Sequence, residues 1–307
     1  MPIESLLVTL RTIIVFGTTV LAVSCTPLQP YAEIRTQIPD DRFVTVDGSQ
    51  VYVEQWGAGD PVLLIHGFGG SSHNWVRVAD ELGDRYQLVA PDLRGFGWSE
   101  RPHEYQAYSF ESQVETVLGV LNALEIERAH VVGHSYGGGV ALWLASRHPE
   151  RVRSLVLVGS TFPGTEFDSG RRLRSAGPLT PIAVRWMLRP SFLRNALESS
   201  YYDPGKVDEA LVEEYRERLR VEGVNRAFRG LTAESSRPQG SIDIDALEMP
   251  TLVLWGSEDP LLPAESGQRF AEAIPDGTFV TIPKCGHTPM EETPAAFVAA
   301  IEPFLSR

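Results

Sequence analysis

Ser135, Asp259 and His287 are three residue types set far apart in the chain but placed as acyl transfer would need them. A serine hydroxyl is a weak nucleophile until a base takes its proton, and an imidazole serves as that base only when a third group orients it. Ser135 sits in Gly133-His134-Ser135-Tyr136-Gly137, after the apolar run Ala129 to Gly133 and before a helical run from Gly138 to Arg147. This is the strand–turn–helix context of a G-x-S-x-G elbow, where small neighbours tolerate a strained serine with Oγ raised above the strand ends.

His287 lies in Lys284-Cys285-Gly286-His287-Thr288-Pro289, just after the last expected strand, and is the expected base. The acid should follow a strand between serine and histidine in chain order. Thr251 to Trp255 leads into Gly256-Ser257-Glu258-Asp259-Pro260, which offers two carboxylates on one turn. Asp259 is the expected acid and Glu258 its substitute. The loop after Val158 supplies Ser160 and Thr161 but no immediate acid. An oxyanion needs preorganised N–H donors. The backbone N–H of Tyr136, directly after the nucleophile, is one candidate. The other is Phe68 in His66-Gly67-Phe68-Gly69-Gly70, where glycines let the backbone approach a substrate. His66 and His134 read as structural or pocket-lining, and His73, His103, His130 and His148 as surface or packing residues. With only Cys25 and Cys285 present, neither a disulfide framework nor a cysteine metal cluster is expected, and Cys285 reads as a small buried thiol.

The elements that must position these residues follow from periodicity. Phe43 to Asp47 and Gln50 to Gln55 alternate around Asp47-Gly48, a hairpin pattern. Further strands are expected at 61–65, 86–90, 129–133, 152–158, 250–255 and 278–282, with helices at 75–82, 110–124, 138–147, 264–274 and 294–305. Strands alternating with helices of this length imply a mostly parallel α/β sheet covered on both faces. The alternation breaks between 161 and 246, where amphipathic stretches (182–188, 207–220, 224–231) imply an inserted helical cap. The expected division is therefore a core over 42–160 and 247–307, a cap over 161–246, a linker over 26–41 and a leader over 1–25.

A net charge of −13 argues against a nucleic-acid partner, which needs a basic footprint. The leader holds an uncharged, mostly apolar run from Thr12 to Ser24, too short for an ordinary membrane span but suited to the apolar region of an export signal. Leu21-Ala22-Val23-Ser24-Cys25 resembles a bacterial lipobox, though Ala22 stands where the strongest versions have Leu and Glu4 is unusual in such a leader. The resemblance implies export and lipid attachment at Cys25, holding the chain to a membrane surface; a secreted or cytoplasmic chain is the alternative.

Taken together, HGFGG at 66–70, DLRGFGWSE at 92–100, GHSYGG at 133–138, WGSEDP at 255–260 and GHTP at 286–289 make the chain resemble the α/β-hydrolase family from about Phe43 onward. The resemblance implies an eight-stranded, mostly parallel sheet with a helical cap, like that of the family's esterase, carbon–carbon hydrolase and haloperoxidase-like branches. It also implies mainly architectural roles for Asp92, Arg94 and Gly95. The serine at 135 sets the chain apart from relatives that open epoxides or displace halide with an aspartate.

The expected activity is carboxylic ester hydrolysis through an acyl-serine on a small to medium apolar substrate. Hydrolysis of a carbon–carbon bond in a vinylogous diketone with the same triad is the alternative. For such a substrate's carboxylate, cap arginines Arg171, Arg172, Arg174 and Arg185 are candidates, although solvated cap charges are the simpler reading. A membrane-tethered, non-catalytic binding protein is the third reading and would require a broken triad. Trp186, Met187, Phe192, Tyr201, Tyr202 and Phe228 form either a pocket lining or, by default, the cap's own core. No metal or organic cofactor is implied, and the one partner expected besides a membrane surface is a small-molecule substrate.

Overall fold

A computed structural model describes residues 27–162, 180–234 and 242–306. Cys25, Arg171, Arg172 and Arg174 lie outside the described residues. The apolar runs become β1 (Phe43–Val46), β2 (Ser49–Trp56), β3 (Asp60–Ile65), β4 (Tyr86–Pro91), β5 (Ala129–His134), β6 (Val152–Val158), β7 (Thr251–Gly256) and β8 (Gly277–Ile282). They form one sheet in the order β1-β2-β4-β3-β5-β6-β7-β8. β2 is antiparallel to both of its neighbours, and every pairing from β4 through β8 is parallel. The β1–β2 hairpin turns on Asp47 and Gly48 at φ 49° and 76°, the type I′ geometry whose twist matches the strands.

Helices α1 (Tyr31–Gln37), α2 (Val76–Leu82), α3 (Phe110–Ala123) and α4 (Tyr136–Arg147) precede the cap. The cap follows as α5 (Thr180–Met187), α6 (Pro190–Glu198), α7 (Glu209–Leu219) and α8 (Val224–Glu234). After it come α9 (Ala264–Ala273), the short α10 (Pro289–Glu292) and α11 (Pro294–Leu305). Successive strand residues point to opposite faces, so β3 sends Leu63 and Ile65 into the core shared with α3, α4 and α9. Its Val62 and Leu64 enter the opposite core with α2 and α11. Burial on both faces explains why the parallel strands are almost continuously apolar rather than alternating.

The cap has its own core, including Val184, Leu193, Leu197, Val212, Val224 and Phe228. Phe68 packs against both this core and the α3–α4 side of the sheet. Because β3, β5, β6, β7 and β8 run in parallel, the loops after them all emerge at one sheet edge. The order β4-β3-β5 places a topological switch between β3 and β5 at that edge, where open α/β sheets bind ligands.

Three expectations need correction. The stretch 26–41, read as a linker, contains α1 with Ile34 buried, and Gln29 pairs with Val221 of the cap. α6 was not expected, although Pro190 at its first turn and the buried Leu193 and Leu197 four residues apart are its signals. α4 begins at Tyr136, two residues earlier than the glycine-rich sequence suggests, because Ser135 itself makes the turn.

Candidate active site

Ser135 follows β5 directly with φ 52° and ψ −117°, a conformation an L-residue holds at a cost of roughly 1–3 kcal/mol. The surroundings enforce it. A Cβ on Gly133 would lie 2.5 Å from the Gly137 carbonyl oxygen, and one on Gly137 would lie 2.3 Å from that of His66. The two glycines of the motif are therefore steric requirements of the elbow. Ser135 N–H donates to the Val158 carbonyl (2.9 Å), tying the elbow to the end of β6.

His287 reaches the same place from the loop after β8. Its Nδ1 lies 2.7 Å from Asp259 Oδ2, and both side chains are almost fully buried. Asp259 Oδ1 accepts from the backbone N–H groups of Leu261 (2.8 Å) and Leu262 (3.0 Å), so the carboxylate is fixed at both ends. An acceptor facing Nδ1 places the imidazole proton there and leaves Nε2 as the basic nitrogen. At Gly159, the residue after β6, a Cβ would lie 3.3 Å from the His287 ring and 3.4 Å from Asp259 Oδ2. The end of β6 is thus the common support of Ser135 and the His287–Asp259 pair. Among the described residues Glu258 is exposed and receives only the Ser257 hydroxyl, so the carboxylate that pairs with His287 is that of Asp259.

The segment 67–70 is a turn closed by Gly70 N–H donating to the Gly67 carbonyl (3.1 Å), with Gly69 at φ 76°. A Cβ on Gly67 would sit 3.1 Å from Ser135 Cβ, so this turn lies directly beside the serine, with Phe68 at its corner. Tyr136 is the first residue of α4, and helices leave their first N–H groups without intrahelical partners. Its N–H is therefore available, with the positive end of the helix dipole behind it.

The remaining histidines near the site hold loops. His66 Nδ1–H donates to the Gly67 carbonyl (2.8 Å) and its Nε2 accepts from Leu93 N–H (3.0 Å), which requires a neutral ring. Burial holds its pKa below the usual histidine value. His134 Nε2–H donates to the His287 carbonyl (2.9 Å), and burial holds its pKa well below the ordinary value. Asp92 accepts from Ser72 and Trp98 N–H groups, and Arg94 donates to the Val46 carbonyl, in keeping with structural roles. Cys285 is buried with its thiol pushed up to about 12, chiefly by desolvation, which makes it inert.

Sequence reasoning missed the carboxylates just after the histidine. Glu292 accepts from the N–H groups of Gly286 (2.7 Å), Tyr202 (3.2 Å) and Asp203 (2.8 Å), while His287 N–H donates to the Ser200 carbonyl (2.7 Å). The loop carrying His287 is thereby fastened to the chain between α6 and α7. In sequence the two adjacent glutamates carry no signal of this role, because an acidic pair after Gly286-His287 reads as solvated. Of the cap aromatics, Tyr201 and Phe228 are buried in the cap core, whereas Trp186 and Tyr202 are about half exposed (48% and 47%).

The model of the α/β-hydrolase fold family matches residues 60–294. The chain is 36% identical over 278 residues to 2-hydroxymuconate semialdehyde hydrolase of Pseudomonas sp. (strain CF600), covering 86% of this chain and 93% of that protein. Among solved structures it is similar to the meta-cleavage product hydrolase of Pseudomonas fluorescens IP01, with 30% identity and a TM-score of 0.72 over 86% of this chain and 97% of that one. A membrane phospholipase A described as a bacterial virulence factor aligns at 27% identity and a TM-score of 0.72, and it covers 99% of this chain and 98% of its own. With its strand order, its elbow and its family match in agreement, the chain belongs to the α/β-hydrolase family and is a hydrolase of that fold.

Proposed function

We propose that the chain is a serine hydrolase that cleaves a carboxylic ester of an apolar acyl group through an acyl-serine. The observation that carries the triad is the His287–Asp259 pair, which leaves Nε2 basic at the strand end that also supports Ser135. In this reading Ser135 Oγ attacks the ester carbonyl while its proton passes to His287 Nε2. The N–H groups of Phe68 and Tyr136 hold the resulting oxyanion. Collapse breaks the carbonyl–alkoxy bond, and the leaving alkoxide takes the proton from Nε2. Water, deprotonated by the same nitrogen, then attacks the acyl-serine; the acyl–Oγ bond breaks, Ser135 Oγ takes the proton back from Nε2 and the acid leaves.

The apolar acyl group is supported by the aromatic cluster beside the elbow. Phe68 meets Phe96 at 5.6 Å and Phe228 of the cap at 5.2 Å, and Tyr136 meets Phe110 at 4.9 Å. The full-length likeness to a membrane phospholipase A supports the ester bond.

A second reading, hydrolysis of a carbon–carbon bond in a vinylogous diketone, has the stronger support in sequence identity, from the hydrolase of 2-hydroxymuconate semialdehyde and the meta-cleavage product hydrolase. A shared fold and triad do not fix the bond cleaved, so identity alone does not decide it. Turnover of p-nitrophenyl esters from acetyl to long acyl chains, beside a dienone series with a terminal carboxylate, separates the two. Ester turnover that vanishes in Ser135→Ala supports the first, and dienone cleavage alone replaces it with the second.

We also propose that the leader tethers the protein to a membrane through lipid at Cys25. The supporting feature is the uncharged, mostly apolar run from Thr12 to Ser24 that ends in the lipobox-like Leu21-Ala22-Val23-Ser24-Cys25. Four residues further on, Gln29 N–H donates to the Arg220 carbonyl (2.7 Å) and Glu222 N–H to the Gln29 carbonyl (2.8 Å), at the α7–α8 junction of the cap. Among the described residues no helix is long and apolar enough to cross a membrane. Cys25→Ala is expected to move the protein out of the membrane fraction; unchanged fractionation refutes lipid attachment.

A further inference from the structure

Four polar side chains from four separate segments, three of them buried and Tyr215 part-buried, meet beside the proposed oxyanion loop, and none of them belongs to the triad. Glu291, 3% exposed, lies in α10 four residues after His287. Its Oε1 accepts from Asn74 Nδ2 (2.7 Å), and its Oε2 accepts from Tyr215 OH (3.0 Å) and Tyr201 OH (3.3 Å). Arg77 Nη1 donates to the Glu291 carbonyl (2.6 Å), and Asn74 Nδ2 also donates to Tyr215 OH. Asn74 Oδ1 accepts from Ser71 N–H (2.9 Å) in a capping box, which fixes which end of the amide faces Glu291. A Cβ on Gly70 would lie 2.3 Å from Asn74 Oδ1, so Asn74 presses directly on the 67–70 turn.

A buried carboxylate is a costly way to fill a core, since replacing a buried charged cluster together with its partners by apolar groups is often neutral for stability or better. Its presence calls for another reason, and the connectivity supplies one. Through Asn74 it fixes the turn that carries Phe68. Through its own backbone it fixes the segment that carries His287. Through Tyr201 and Tyr215 it fixes the cap above both.

We propose that Glu291 is a positioning residue that sets the oxyanion turn, the histidine loop and the cap in register for the acyl-transfer step. The inference rests on the serine-hydrolase reading of Ser135. Burial raises the pKa of Glu291 despite its three donors, and it raises those of Tyr201 and Tyr215, so out of water the cluster depends on its own hydrogen bonds for satisfaction. The chemical step should feel its loss more than substrate binding does, because oxyanion contacts strengthen only as charge develops.

The test uses the rate of Ser135 phosphonylation by a fluorophosphonate probe, which needs the base and the oxyanion donors but no knowledge of the natural substrate. It is paired with kcat and KM on whichever ester the wild type turns over. Glu291→Leu is expected to slow phosphonylation and kcat by about 10- to 100-fold, the scale of an ångström-level misplacement, with KM within about 2-fold. Glu291→Gln, which can still accept from Asn74 and pair with both tyrosines, is expected to restore the rate to within about 3-fold of wild type. The isosteric Tyr201→Phe/Tyr215→Phe pair, which keeps core volume, covers the case in which Glu291→Leu does not fold; it is expected to slow both rates by at least about 3-fold. Wild-type phosphonylation in folded Glu291→Leu, or in the double phenylalanine variant, overturns the proposal, as does loss confined to melting temperature. A wild-type protein that the probe does not label refutes the serine-hydrolase reading itself, and this inference falls with it.

Discussion

Replacing Asp259 with Asn changes one atom and tests the proposed division of labour in the triad. Asp259 uses both oxygens: Oδ1 receives the N–H groups of Leu261 and Leu262, and Oδ2 receives His287 Nδ1–H. An asparagine has one acceptor oxygen for these two places. Turned toward His287, its amide nitrogen would face the Leu261 and Leu262 donors. Leaving the part-buried Leu262 N–H without an acceptor costs about 1–3 kcal/mol. The oxygen should therefore stay with the backbone donors, by roughly ten- to a hundred-fold in population, because 1.4 kcal/mol is tenfold. The amide then points an N–H at His287 Nδ1, which must accept it, so the ring proton moves to Nε2 and the base toward Ser135 is lost. The expected fall in kcat is about 10⁴-fold, or roughly 5.5 kcal/mol in activation free energy, with the fold retained. Ester turnover and fluorophosphonate labelling measure it, with circular dichroism to establish folding and Glu258→Gln as a control expected to stay within about 2-fold. Asp259→Asn activity within tenfold of wild type would refute the tautomer argument. Loss in Glu258→Gln instead would move the acid by one residue.

Gly159→Ala adds a Cβ at φ 47°, where an L-residue costs about 1–2 kcal/mol, and puts it against His287 and Asp259. It should lower stability by that amount in urea unfolding and reduce kcat more than it raises KM; an unchanged kcat would show that the end of β6 is not the support described. His66 and His134 both titrate below the ordinary histidine value because of burial, so the unfolded chain takes up protons before the folded one does. Their contribution to stability is intact above about pH 6.5 and is lost as pH falls, at up to about 1.4 kcal/mol per pH unit for each. Glu291, with a raised pKa, acts in the opposite direction but as a single group. The urea midpoint should therefore be lower at pH 5.5 than at pH 7.5, and an equal or higher midpoint at pH 5.5 contradicts this accounting.

The sequence by itself determined whatever depends on neighbours along the chain. The strand 152–158 and helix 294–305 stand where apolar periodicity puts them, because each buries a face its own spacing defines. The elbow at Ser135 was readable for a related reason: glycines at 133 and 137 and a strand running into a helix are local conditions for a strained turn. Choosing Asp259 over Glu258 was not local. Both carboxylates lie on one turn, and only the approach of His287 from the next strand distinguishes the buried one from the exposed one. The same holds for α1, whose short stretch has little periodicity of its own and follows Gln29, which pairs with Val221 of the cap. Glu291 and Glu292 are the furthest case. In sequence they look like a solvated acidic pair, yet tertiary structure brings Asn74, Tyr201 and Tyr215 to one and three backbone N–H groups to the other. A carboxylate can be buried only where donors converge on it, and convergence across more than two hundred residues leaves no trace in local spacing.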